Sequence, residues 1–398
     1  MLGSRIQKTF AYIIKYLISK STSFVLFITS EYKPMPAAGA ARITPLVEVL
    51  QSIGLNVRVL TSNGIPPCSC VSRSYFPVPS SKASFLLRAT QEILLGFDLG
   101  IKIFLRRKTS KLCLITSPPF FMVCICAYFS KLSGIPYVID IRDRYPHVLV
   151  ELGLLKTEGL LFKMLCSLEN WIYREARGVT TVTNGLVNNL ENSFPNLNLK
   201  LLRNGFDESI FTDELIETKK RTAFTVVYHG RLGRFYDLDT YMEIIKMVYN
   251  ADSSIRFLMV GDLPKSICSN SSPNLEKLPA MKLEKLAKVL ASCHLGFCLL
   301  RELPAMKNAF PAKAYDYIGA GIPVLAGPRG ELTQIVDRFN IGTTFEKISV
   351  KEVADCILGL KKDEEVWYKM CAHVKKCRVN FGRRKIAREF FSQGLFNQ

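Results

Sequence analysis

Histidine is scarce in this chain: there are four in 398 residues, His147, His229, His294 and His373, and only His229 stands at a candidate strand end. A site whose acid–base chemistry runs on several histidines is therefore not expected. The twelve cysteines are scattered, and the close pairs Cys68/Cys70 and Cys124/Cys126 have neither metal-site nor redox spacing. No disulfide and no structural zinc is expected, and such thiols suit a reducing compartment. Long apolar runs are also missing. The longest uncharged one, residues 112–129, is broken by Ser117-Pro118-Pro119 and reads as strand, turn and helix, not as a membrane span. Lys15 and Lys20 interrupt what would be the apolar region of a signal peptide. There is no interleaving of aromatic with basic residues and no candidate reader helix, which argues against a nucleic-acid-binding module.

Acid is in deficit, with 53 Lys+Arg against 34 Asp+Glu and a net charge of +19. The deficit is uneven: residues 1–205 hold 24 basic against 11 acidic residues, and residues 206–398 hold 29 against 23. The first half should meet something negative, and charge alone does not choose among nucleic acid, an anionic membrane surface and a phosphorylated substrate. Within residues 1–22, Ile6, Phe10, Ile13, Ile14, Leu17 and Ile18 recur at helical spacing, with Arg5, Lys8 and Lys15 elsewhere on the wheel. Such a helix would lie on an anionic bilayer or pack on the domain's own core, and both readings stay open.

What the chain has in quantity is apolar residue, 48% of the total, and length enough for two cores. Short apolar, β-branched runs alternate with longer helical stretches, the mark of βαβ units and parallel sheets. The first series of strands is expected at residues 24–29, 56–60, 112–116, 137–141 and 179–182. The second is expected at 225–229, 256–260, 295–299 and 323–326. The fold class is thus α/β, with two tandem Rossmann-like doubly wound domains and ligands expected at the C-terminal strand ends and in the cleft between domains. Residues 1–205 form the first domain and 206–379 the second, with a polar linker at 207–221 and a tail, 380–398, that is expected to return to the first domain.

The run Asn308-Ala309-Phe310-Pro311-Ala312-Lys313-Ala314-Tyr315-Asp316 leads through Gly319 and Gly321 into an apolar strand start. Asn308 is placed to cap a helix, Pro311 suits its first turn, and the N–H groups there would face an anion. Lys313 and Asp316, three apart, share one helix face. A diphosphate beside a ribose diol would suit that pair; an ordinary helix with a surface ion pair remains the alternative.

Seven motifs in order give these features a family. They are residues 36–42 (Pro-Ala-Ala-Gly-Ala-Ala-Arg), 116–119 (Thr-Ser-Pro-Pro), 140–146 (Asp-Ile-Arg-Asp-Arg-Tyr-Pro), 151–155 (Glu-Leu-Gly-Leu-Leu), 203–207 (Arg-Asn-Gly-Phe-Asp), 229–233 (His-Gly-Arg-Leu-Gly) and the 308–324 run. From about residue 23 onward the chain resembles retaining glycosyltransferases of family 4, which have the GT-B fold. It looks most like the bacterial branch that builds O-antigen and capsule repeat units from amino-sugar donors such as N-acetylfucosamine. The sequence departs from the broad family at several points. Asn308 and Asp316 stand where two glutamates are usual, Tyr236 where a lysine is usual, and Arg142 where many members have histidine.

The resemblance implies a UDP-sugar donor, no cofactor and no divalent metal. The implied acceptor is a polyprenyl-diphosphate-linked saccharide at the inner face of the cytoplasmic membrane, met by a cytoplasmic, peripheral protein. Arg231 and Lys313 would stabilise the departing phosphate, and Asn308 would position sugar hydroxyls or an N-acetyl group. Gly39, Asn204, Gly230, Ala309, Phe310, Pro311 and Asp316 would complete the donor site. Gly39 is otherwise a turn glycine. Asp143 would touch acceptor or sugar, or else cap a helix before Tyr145-Pro146. Phe120-Phe121-Met122 and the cluster Arg106-Arg107-Lys108 with Lys111 are candidate membrane contacts, although such phenylalanines more often build the core. Two other readings are weighed: a GT-B epimerase of the UDP-N-acetylglucosamine 2-epimerase kind, whose acid–base residues are not visible here, and a non-catalytic basic module.

Overall fold

The computed structural model describes residues 23–35, 37–64, 69–80, 83–151, 153–233, 235–264 and 272–392. The amphipathic stretch at 1–22, Pro36, Cys68 and Leu152 lie outside them. Two all-parallel sheets organise the chain. The first, in the order β3-β2-β1-β4-β5-β6-β7, comprises β1 (Phe24–Ile28), β2 (Val57–Thr61), β3 (Val71–Arg73), β4 (Ser110–Ser117), β5 (Tyr137–Ile141), β6 (Gly178–Thr181) and β7 (Leu199–Leu201). The second, in the order β10-β9-β8-β11-β12-β13, comprises β8 (Thr225–His229), β9 (Arg256–Val260), β10 (Leu275–Leu278), β11 (Leu295–Leu299), β12 (Val324–Gly327) and β13 (Gly342–Thr344). Both sheets start at a central strand, wind outward and then reverse, the Rossmann-like order.

The central strands read as continuous apolar runs because helices cover both faces of a parallel sheet. Sequence reasoning found these and missed β3, β7, β10 and β13. Those four are edge strands of three or four residues, and none of their residues is fully buried. They lack the apolar run that marks a strand covered on both faces.

By its contacts the chain divides into two compact units. One takes in the first sheet through Val182, residues 186–203 and the chain from Ala387 onward; the other comprises 183–185 and 204–386. The Arg383–Ser392 helix ends in Phe390 and Phe391, which line a small cavity with Phe27, Leu46, Val138 and Leu202 of the first unit. At the base of the second unit, Phe206 and Gly382 form a β-bridge, and Arg383 donates to the carbonyls of Asn204 at 3.1 Å and Gly205 at 2.7 Å.

The ten described cysteines are free thiols, and Cys124 and Cys126 are buried in the Phe120–Leu132 helix. Phe120 and Met122 are also buried there. They build the core, because the first turn of this helix faces the sheet, and they offer nothing to a membrane.

Candidate functional site

In the second unit the site is built on the C-terminal ends of β8 and β11 and on the Ala312–Gly319 helix, the place where an open parallel sheet receives ligands. The helix is held by its buried face: Ala314, Tyr315, Tyr317 and Ile318 all join the core. Burial of Ile318 alone is worth about 2 kcal/mol. Tyr317 fixes the orientation. Its hydroxyl donates to the Val227 carbonyl at 3.1 Å and accepts the His229 N–H at 3.3 Å. Its ring fills the space above Gly296, where an added Cβ would lie 2.4 Å from ring carbons.

The exposed flank of this helix start differs from its sequence-based expectation. Asn308 caps nothing in it. Residues Pro304–Asn308 make a separate 3-10 turn, Ala309 is extended, and Pro311, also extended, is the residue that precedes the helix, with no side-chain cap bond. No side chain caps the first turn, whose Ala314 N–H turns back to the Pro311 carbonyl at 3.0 Å, so the N–H groups ahead of it are left to water or a ligand. Phe310 is buried against Tyr315, their ring centroids 4.2 Å apart, which anchors the loop to the helix.

Lys313 and Asp316 do share a face, but they do not form a surface ion pair. Lys313 is only 7% exposed, and its Nζ has no hydrogen-bond partner among the described residues. The ammonium rests on two aromatic faces, 3.6 Å from the Tyr228 ring centroid and 3.7 Å from that of Tyr236. Such contacts attract a cation but supply no acceptor atom. Burial pushes Lys313 down to about 7, against the pull of the Asp316 charge. Burial likewise pushes Asp316 up to about 7, opposed by the positive charges of Arg383 and Lys313. Asp316 Oδ2 lies 3.5 Å from His229 Nε2. Burial first, and then the Lys313 charge, depress His229 to about 3, so its imidazole is neutral.

Gly230 follows β8 with φ +93, a left-handed conformation that favours glycine, and donates to the Val260 carbonyl at 2.8 Å. Arg231 comes next, exposed and without an ion pair among the described residues, and its carbonyl accepts the Tyr228 hydroxyl at 3.0 Å. The loop after β8 and the 312–319 helix thus meet through Tyr228. Asn204 reaches this region through its carbonyl, which holds Arg383, the charge that acts on Asp316. Tyr228, His229 and Arg383 were not among the expected site residues. His229 opens the 229–233 motif but, like Arg383, gains its part in the site only from Asp316, far along the chain.

The first unit holds the other two candidates. Gly39 opens the Ala38–Ser52 helix, and its N–H donates to Glu31 Oε2 at 2.9 Å. A Cβ there would fall 2.3 Å from that oxygen, so the close approach that demands glycine is made by Glu31. Asp143 is exposed and caps no helix, since the next one, His147–Glu151, begins four residues later. Its neighbour Asp140 has a structural role. Arg42 grips it with Nε at 2.8 Å and Nη2 at 2.6 Å, Thr180 donates to it at 2.7 Å, and Arg42 also reaches the carbonyls of Leu202 and Arg203. Burial would raise the Asp140 carboxyl, but Arg42 and these hydrogen bonds outweigh it and hold the group below its ordinary range.

Two features bear on metals. Asp237-Leu238-Asp239 has Asp-x-Asp spacing and opens the Leu238–Ala251 helix, where acidic side chains complement the helix dipole. His147, Cys166 and Glu169 offer ligand atoms within 4.8 Å of one another, but the Arg144 guanidinium lies 3.5 Å from Glu169 and opposes a cation there.

The fold is that of the GT-B glycosyltransferases. Sucrose-phosphate synthase from Thermosynechococcus elongatus superposes with a TM-score of 0.70 at 14% identity, over 93% of this chain and 98% of that one. Anabaena Alr3699/HepE, solved in complex with UDP, gives 0.65 at 14% identity, over 93% and 98%. In sequence the chain is similar to the probable glycosyltransferase WbjE of Pseudomonas aeruginosa, 23% identical over 303 residues, which are 71% of this chain and 75% of the relative. No protein-family model matches it.

Proposed function

We propose that the protein is a retaining glycosyltransferase of family 4 that moves a sugar, of the N-acetylated amino-sugar class, from a UDP-sugar to a polyprenyl-diphosphate-linked saccharide of a surface polysaccharide. The observation that carries this reading is Lys313. It is an ammonium desolvated on two tyrosine faces, without an acceptor among the described residues, at the start of a helix. A buried cation left so is costly, and a diphosphate supplies the missing oxygens. The position of Tyr236 fits too: it stands where relatives carry a lysine, and the Lys313 ammonium lies on its ring. The solved HepE–UDP complex supports the choice of nucleotide.

In this reading the anomeric C–O bond to the β-phosphate breaks while the acceptor oxygen bonds to the same face of the sugar. The acceptor proton passes to the departing phosphate, so no enzymic base is required. Lys313, Arg231 and the helix N–H groups stabilise the charge that builds on the phosphate, the largest catalytic term. Asp316 receives the ribose hydroxyls, Asn308 orients the sugar, and Asp143 contacts the acceptor. No divalent metal takes part. The basic residues 1–205 serve the acceptor at the inner face of the cytoplasmic membrane, and residues 206–379 serve the donor.

The test is a panel of UDP-sugars, assayed for slow donor hydrolysis with and without EDTA, with the anomer of the first product read by NMR. One UDP-sugar is expected to be hydrolysed with retention and without metal. A soaked crystal with UDP away from residues 308–316 would sink the site assignment.

A further inference from the structure

The first unit exposes apolar side chains in a pattern that single surface leucines do not make. Along the Phe85–Leu105 helix, Leu86, Leu94, Phe97, Ile101 and Leu105 stand three, four or eight residues apart and so form one stripe. Leu86 and Leu105, at its two ends, are 76% and 70% exposed. The stripe continues sideways. Gly96 and Gly100 let the Phe120–Leu132 helix press close, against Met122, Ile125 and Phe129, and the Phe97 and Phe129 rings meet at 6.2 Å. That second helix exposes Tyr128 and Leu132, and Tyr128 touches Trp171 of the Leu160–Arg174 helix at 6.4 Å. The third helix adds Leu161, Met164 and Leu168, three and then four residues apart and all exposed. Between the second and third helices lies an open groove of about 700 Å³ lined by Tyr128, Lys131, Leu132, Leu168 and Trp171.

Three adjacent helices thus present exposed apolar side chains side by side, the kind of patch that marks an interaction surface. Its charged border is basic. Arg107, Lys108 and Lys111 are exposed at the end of the first helix and Lys163 on the third, while Lys131 on the second pairs with Glu175 at 2.7 Å. The acids of the first helix are already matched, Glu92 with Arg88 and Asp98 with Lys102. Apolar side chains in the middle, tyrosine and tryptophan beside them and lysine and arginine outside match the chemistry of an anionic bilayer surface.

We infer that this three-helix face docks on an anionic lipid bilayer, with Leu94, Phe97 and Ile101 entering the headgroup–acyl boundary and the Tyr128–Trp171 groove open to a lipid chain. The inference rests on the membrane-borne acceptor proposed above, and it assigns that contact to named residues on a face remote in sequence from the donor loop.

The test uses the full chain and vesicles, with no sugar nucleotide or acceptor present. Wild type is expected to co-sediment with phosphatidylglycerol vesicles at least about tenfold more strongly than with phosphatidylcholine. The triple variant Leu94→Ser, Phe97→Ser, Ile101→Ser is expected to lose about tenfold or more of that binding while melting as wild type does. Brominated lipid chains should quench tryptophan emission in wild type and not in Trp171→Phe, since the other tryptophan, Trp367, is buried in the second unit. Full vesicle binding by the triple variant overturns the inference. So does a wild-type dimer in solution that the triple variant breaks, because the face would then belong to a second copy. UDP-sugar hydrolysis in solution, read on the same samples, reports the transferase reading separately and should be equal in wild type and variant.

Discussion

Each unit buries a basic side chain and an aspartate near its sheet, and the two arrangements behave oppositely. Arg42 and Asp140 meet fork to carboxylate, Thr180 and the carbonyls of Leu202 and Arg203 add further bonds, and Asp140 is held below its ordinary range. Lys313 and Asp316 are equally hidden, but the ammonium touches only ring faces and both groups are driven toward neutrality. A buried charge that is fully answered by its own chain holds a fold together, whereas one left unanswered costs stability until something binds. The difference separates scaffold from site without reference to any relative.

The comparison breaks first at Arg42. Arg42→Ala strands a buried carboxylate and should cost about 3–5 kcal/mol in chemical denaturation; a loss under 1 kcal/mol would make the pair ornamental. Next in size, Lys313→Ala should lower donor turnover about 10²–10³-fold, by analogy with removal of one fixed donor from a charged transition state. Near-normal turnover would return Lys313 to the structural class. Lys313→Met sharpens the contrast from the stability side. Removing an unanswered cation should raise the stability of the ligand-free protein by about 1–3 kcal/mol in calorimetry while UDP binding is lost.

The smallest effect is in pH. Lys313 sits near 7 when folded against 10.5 for an ordinary lysine, so between those pH values the unfolded chain binds more protons and stability rises with pH. Asp316, near 7 against 3.8, makes stability fall as pH rises from about 4 to 7. For these two groups the ligand-free protein is least stable near neutrality. A melting series across pH should show that dip in wild type, and Lys313→Met should flatten its alkaline side.

Much of this was legible before any coordinates. Strands such as β11 announce themselves because burial on both faces leaves only apolar residues, and the spacing of Lys313 and Asp316 already put them on one helix face. Burial of that pair was not legible, since it depends on Tyr228 of β8 and Tyr236 of the loop after it, more than seventy residues earlier. Asn308 misled because a side chain suited to capping says nothing of the extended Ala309–Pro311 segment that intervenes. The Arg42–Asp140 grip spans 98 positions, and no local pattern records such a distance.

The Tyr317 ring seated over Gly296 has one more consequence. It works as a dowel in a drilled hole, locating the 312–319 helix on the sheet along two axes at once, while the hydroxyl sets the third. Alignment is thereby separated from chemistry. Exchanging exposed side chains on the loop ahead of the helix would leave the register of the Lys313 ammonium against the sheet as it was machined.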